Sequence, residues 1–264
     1  MPFTATHLAA ALPIAWLCRW RVPFTALAAG TLVADVGVFF PAFFDYRATH
    51  SLPGIITHCA PIGLAAYYLY HLLLKRPLLD LLPLAARNRL LRWVNRPVDF
   101  SLNQIALVSL LIMIGSATHV LWDSFTHRNR WGVNLVPILK EVGAEFGRHK
   151  IPWYTFLQHG SSLVLLPPML LGFCIWVWRQ KEDDCNDDRV RLPPKFSWTA
   201  IAAILLGGFA WMWWIQWCHP NYLVWMHSFR FAVKDTGAVL AVTTLVYCLT
   251  MHVIWLLTEA PTES

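Results

Sequence analysis

The chain has 264 residues, 57% of them hydrophobic and 14% charged, and a net charge of +6 at pH 7; its mean hydropathy is +0.47. Soluble domains carry about 25% charged residues, so this chain has too little polar material to cover a globule of its size in water. A soluble enzyme, a disordered chain and a disulfide-stapled miniprotein are excluded, and the basic residues lie between long apolar runs, which points to membrane topology and away from nucleic acid.

The first 18 residues are apolar but short, with Pro13 among them. They predict a partial helix that pairs with 23–44 across the Arg19–Pro23 turn. No Lys or Arg precedes this stretch, so a cleavable signal peptide is not expected. Run 23–44 is long enough to span a bilayer and carries Asp35 at its middle. Crossing a hydrocarbon core takes roughly 20 apolar residues as helix. Five further runs meet that length: 54–74, 103–123, 155–178, 196–217 and 237–257. The expected fold is therefore all-α, a polytopic integral membrane bundle of about six spans plus the short N-terminal helix. Residues 1–180 form the motif-bearing membrane domain. Residues 181–195, with the acidic run Glu182–Asp188, form a charged cytoplasmic linker, and 196–264 supply two spans that complete the bundle. The six cysteines are scattered without a C-x-x-C pair and are expected as free packing residues.

Basic residues set the orientation. Thirteen of the 21 Lys and Arg fall in 19–22, 75–102 and 179–195, and that side is expected to be cytoplasmic. The chemistry then gathers on the opposite side. His50 precedes the 54–74 run, His119, Asp123 and His127 close the 103–123 run, and His159 opens the 155–178 run. His7 and Asp35 are about equally far from the Arg19–Pro23 turn, so a helical hairpin brings them to one depth. Ionisable groups inside a membrane are costly, and each is a functional candidate.

His119, Asp123 and His127 are spaced i, i+4, i+8, which is one stripe of a helix. A histidine and a carboxylate one turn apart can hold one metal ion; the competing reading is a helix end hydrogen-bonded to loop backbone. Thr precedes five of the eleven histidines, which suggests hydroxyls orienting ring nitrogens or carboxylates. Arg47 and Ser51 flank His50 at a helix N-terminus and are candidates for binding an anionic group. Gln158-His159-Gly160 carries polar groups into a span, and His159 is the residue that close packing does not explain. Trp211, Trp213, Trp214 and Trp217 read as an interfacial aromatic belt. A lone hydrogen-bonded role is expected for His252.

Four segments carry a resemblance: M-P-F-T-x-x-H-x-A-A-x-L-P at the start, T-H-S-L-P-G at 49–54, H-x-L-W-D-S-F-T-H at 119–127 and L-Q-H-G-S-S at 157–162. Together they resemble a bacterial membrane family of unknown function, number 4184 among such families. That family is similar, more distantly, to inner-membrane proteins described as metal-dependent hydrolases and grouped with zinc phospholipase C and P1 nuclease. The resemblance implies a metal site of His7, Asp35, His50, His119 and Asp123, with His159 near it. It also implies a bacterial inner membrane location. The chain departs from the pattern at Ala34-Asp35-Val36-Gly37, which keeps the Asp but lacks a preceding Pro and a second carboxylate, a change that bears on whether a second metal binds.

The leading expectation is a membrane-embedded metal-dependent hydrolase acting on a phosphoester or lipid-linked small molecule. Zinc suits the donors best, with manganese or iron as alternatives. Asp123 or Asp35 serves as general base if not a ligand, and His127 and His159 are further candidates. The alternatives are a transporter or ion relay, a haem protein and a structural or assembly factor. Expected partners are the lipid bilayer and the substrate, with no nucleic acid.

Overall fold

A computed structural model describes residues 3–147, 149–182, 194–218 and 225–258. Among the described residues the regular structure is helical apart from one small hairpin, as the apolar runs require. A 3-10 turn, Thr4–His7, leads into helix α1, Leu8–Leu17. Then follow α2, Phe24–Val33, α3, Val36–Phe39, and α4, Tyr46–Thr49. The long α5, Leu52–Asp80, contains two π-helical turns, Ile55–Cys59 and Tyr70–Leu74. Helices α6, Leu84–Val94, α7, Leu102–Thr126, and α8, Trp131–Leu135, precede the hairpin β1–β2, Val142–Phe146 and His149–Pro152. The chain continues through α9, Trp153–Arg179, α10, Pro194–Cys218, and α11, Trp225–Thr258.

Among the described residues, five helical stretches are long and apolar enough to cross a membrane: Leu52–Asp80, Leu102–Thr126, Trp153–Arg179, Phe196–Trp214 and Lys234–Thr258. They coincide with the five uninterrupted runs in the sequence. The expected sixth span, 23–44, is not a continuous helix. It breaks after Val33 and resumes as the short α3, with Asp35 in the turn between. Most of the acidic run Glu182–Asp188 lies outside the described residues, as do His219 and the side chain of His227.

The helices sort into two compact units. One holds the chain up to Gly37 with Pro41–Tyr67 and Asp99–Ile175; the other holds Val38–Phe40, Tyr68–Val98 and the chain from Trp176 on. Residues 68–98 thus group with the C-terminal helices.

In the first unit α7 packs along α2. Its buried positions Val108, Leu111, Ile112, Gly115, Ser116, His119, Val120 and Asp123 recur at helical spacing and form one face. Glycines bring the two backbones together. A Cβ on Gly30 would lie 2.2 Å from the Ile112 carbonyl oxygen, and one on Gly115 would lie 2.4 Å from that of Leu27. Arg19 and Trp20 adopt positive φ (52° and 56°) in the turn between α1 and α2. The turn reverses the chain, so α1 returns along α2 as the sequence suggested.

In the second unit α10 and α11 pack together, and α11 also lies against the C-terminal part of α5. Pro77 has no N–H, so the Leu73 carbonyl has lost its helical partner; the His252 ring Nε2 donates to it at 2.9 Å. His252 therefore has the structural role expected of it. Arg87 pairs with Asp80 at 2.8 Å, both buried, and Ser197 donates to the Asp80 carbonyl. Among the described residues Cys18, Cys59, Cys174 and Cys248 are free thiols.

Candidate metal centre

The break in α2 builds the centre. A helix end leaves its last carbonyls without intrahelical donors, and three of these are taken by side chains from elsewhere. Ser116 Oγ donates to Gly30 O at 3.0 Å, His119 Nδ1 to Thr31 O at 2.6 Å, and Thr49 Oγ1 to Ala34 O at 2.7 Å. A carbonyl can only accept, so Nδ1 of His119 carries the proton and Nε2 presents its lone pair. His50 is held in the same way, with Nδ1 donating to Tyr46 O at 3.0 Å. Thr49 Oγ1 lies 3.2 Å from that Nδ1, which gives the Thr–His pair at 49–50 a physical meaning. Gly54 lets this turn close: a Cβ there would lie 1.7 Å from Ala48 O.

Both oriented Nε2 atoms point at the same two carboxylates. His50 Nε2 is 3.6 Å from Asp35 Oδ1 and 3.4 Å from Asp123 Oδ2. His119 Nε2 is 3.5 Å from Asp35 Oδ1 and 3.6 Å from Asp123 Oδ2. One ligand atom from each of the four residues lies within 4.8 Å of all the others, and all four residues are buried. The other oxygen of Asp35 is fixed by Thr4, whose Oγ1 donates to Oδ2 at 2.7 Å.

His7 is also buried, stacked on His119 with ring centres 3.7 Å apart, and its Nε2 lies 3.5 Å from Asp123 Oδ1. His7 thus faces the opposite oxygen of Asp123 from the one that His50 and His119 share. His127 lies just beyond the end of α7 in extended backbone, so the expected i+8 position has left the helix. Its Nδ1 nevertheless comes to 3.2 Å from Asp123 O and 3.5 Å from Asp123 Oδ1. Its Nε2 meets the amide of Gln158 at 3.3 Å. Burial holds the His127 imidazole below its ordinary pKa, which suits a neutral ring bridging Asp123 and Gln158.

The remaining expected residues lie outside the four-atom group. His159 is exposed, whereas its neighbour Gln158 is buried and faces His127. Ser51 is used as a helix cap: its Oγ accepts from Gly54 N and donates to Ala48 O. Arg47 is exposed on α4. Sequence reasoning passed over Thr4, Thr31, Tyr46 and Arg130, and it named Gln158 only as a polar neighbour of His159. Thr4 and Gln158 each sat inside a quoted segment, so only those two left a legible signal.

Six atoms of these side chains are buried without a hydrogen bond: Nε2 of His7, His50 and His119, Oδ1 of Asp35, and both oxygens of Asp123. Buried polar atoms are nearly always paired, and two buried carboxylates held among lone-pair nitrogens cost several kcal/mol without a cation. Separations of 3.4–3.6 Å are too long for hydrogen bonds. They match the edge of a ligand tetrahedron, about 3.3–3.6 Å for metal bonds of about 2.0–2.2 Å. The donor set therefore fits a metal ion, which Asp35, His50, His119 and Asp123 could hold.

The comparison with protein families agrees with the segments that first stood out. A model described as Domain of unknown function (DUF4184) matches residues 1–258, and the chain belongs to that family. No curated protein and no solved structure matches it.

Proposed function

We propose that this protein is a membrane-embedded, metal-dependent hydrolase of a phosphoester or another polar ester, one borne by a lipid or by a small molecule. The observation that carries the reading is the set of buried, oriented and otherwise unpaired ligand atoms at Asp35, His50, His119 and Asp123. Zinc suits two imidazoles and two carboxylates best, with manganese or iron as alternatives. The chemistry such an ion supplies is Lewis acidity, which makes water a nucleophile near neutral pH and polarises the ester.

The chain's own residues do the rest. Thr31 O and Tyr46 O keep the protons of His119 and His50 on Nδ1, so both Nε2 lone pairs stay aimed at the centre. Thr4 holds Asp35 by the oxygen that faces away. Asp123 has an oxygen left over, Oδ1, which faces His7 and His127. In this reading that oxygen takes a proton, so Asp123 is ligand and base together, whereas the sequence offered the base role only to a carboxylate that is not a ligand. Asp35 is spent as a ligand. The surrounding helices exclude bulk water, so charges at the centre act in a low-dielectric site. The proposed setting is the bacterial inner membrane, with the centre toward the non-cytoplasmic side.

The test is hydrolysis by detergent-purified protein of a panel of phosphomonoesters, phosphodiesters and carboxylic esters, with and without added zinc. Turnover that requires the metal and falls at least a hundredfold in Asp123→Asn is expected. A protein that binds metal yet turns over nothing in the panel, while carrying the ion across proteoliposome membranes, would replace the hydrolase with a transporter.

A further inference from the structure

A divalent ion bound by two carboxylates and neutral imidazoles leaves the centre with no net charge. Attraction for an anionic ester must then come from a positive group beside it. The sequence offered Arg47, but the structure leaves that residue exposed at the first turn of α4. A different arginine is built into the mouth of the site.

The mouth is identifiable from exposure. The side chains of Asp35, His50 and His119 are fully buried and those of His7 and Asp123 are 2% exposed, whereas that of His127 is 17% exposed. Of the imidazoles His7, His50, His119 and His127, that of His127 is the most exposed, and it lies against Asp123 Oδ1. The turn that carries His127 ends at Arg130. Arg130 N donates to His127 O at 3.3 Å, and Asn129 takes the positive φ (64°) that lets the turn close. The Arg130 guanidinium then lies over the Tyr46 ring, 5.7 Å from its centre. Tyr46 in turn packs on His50 with ring centres 3.9 Å apart. Arg130 is thus one aromatic ring away from a metal-facing histidine. Among the described residues no carboxylate lies within ion-pair distance of it.

We infer that Arg130 is the receptor for an anionic group of the substrate, a phosphoryl oxygen in the first instance, and holds it at the His127 side of the metal centre. A guanidinium fixed against a ring keeps its N–H fork pre-organised for such oxygens. The inference rests on the hydrolase reading and specifies its substrate class.

Inorganic phosphate is the probe, titrated calorimetrically into zinc-loaded protein with zinc content measured on the same samples. Wild type is expected to bind phosphate. Arg130→Gln should weaken binding at least tenfold, Arg130→Lys should recover part of the loss, and zinc content should be unchanged in both. Equal binding by Arg130→Gln, a loss that appears in Arg47→Gln instead, or no phosphate binding by zinc-loaded wild type would each overturn the inference while leaving the metal centre standing. Failure of wild type to take up zinc would overturn the hydrolase reading itself, and the receptor with it. A parallel titration with dihexanoyl phosphatidic acid separates the sources: tighter binding than phosphate, still dependent on Arg130, assigns the group to a lipid, and equal binding assigns it to a free phosphoester.

Discussion

Both units bury charge, and they do it in opposite ways. In the second unit Asp80 and Arg87 satisfy each other at 2.8 Å, and Ser197 closes over the Asp80 backbone. In the first unit two carboxylates and three imidazoles converge without a hydrogen bond among the atoms that face one another. The first arrangement is complete as it stands. The second becomes electrostatically reasonable once a cation stands among the ligands. Burial alone therefore does not mark a functional group in this chain; the mark is a buried ligand atom that is oriented by a second hydrogen bond and still has nothing to bind.

The two regions are expected to fail differently. Arg87→Met leaves Asp80 as an unpaired buried carboxylate and should destabilise the protein by about 3–5 kcal/mol. Denaturation in detergent would measure this, and metal content per folded chain should be unchanged. His119→Ala should instead reduce metal content at least tenfold, and a chelator, expected to lower the thermal midpoint of wild type, should leave that of the variant unchanged. A variant of either region that shows the other's behaviour would break the distinction. A smaller change sharpens it. Thr4→Val removes the hydroxyl that fixes Asp35 Oδ2 but keeps the side chain's shape. Metal affinity should fall about 10- to 100-fold, with stability of the metal-free protein nearly unaltered.

Much of this was legible in the sequence because helical periodicity and apolar length are local properties. Five runs became five long helices, and the spacing of His119 and Asp123 placed both on the buried face of α7. The break at Asp35 was not legible. The stretch 23–44 reads as one apolar run, and at its break the helix carbonyls are taken by Ser116, His119 and Thr49. Those contacts join residues up to 88 positions apart, and a backbone carbonyl leaves no trace in a sequence. The same limit explains His159. Chemistry favoured the histidine, but one residue around a helix is a large rotation, and it is Gln158 that turns inward. Arg47 and Arg130 differ likewise: proximity to His50 in the chain suggested the first, whereas the ring of Tyr46 lies beneath the second.

The most direct measurement of the central claim is X-ray absorption at the metal edge of the purified, zinc-loaded protein. A shell of nitrogen and oxygen donors at about 2.0–2.2 Å is expected, including two imidazoles, with the imidazole signal halved in His50→Ala. A sulfur-containing shell, a shell without imidazole, or a spectrum unchanged by removing His50 would contradict it.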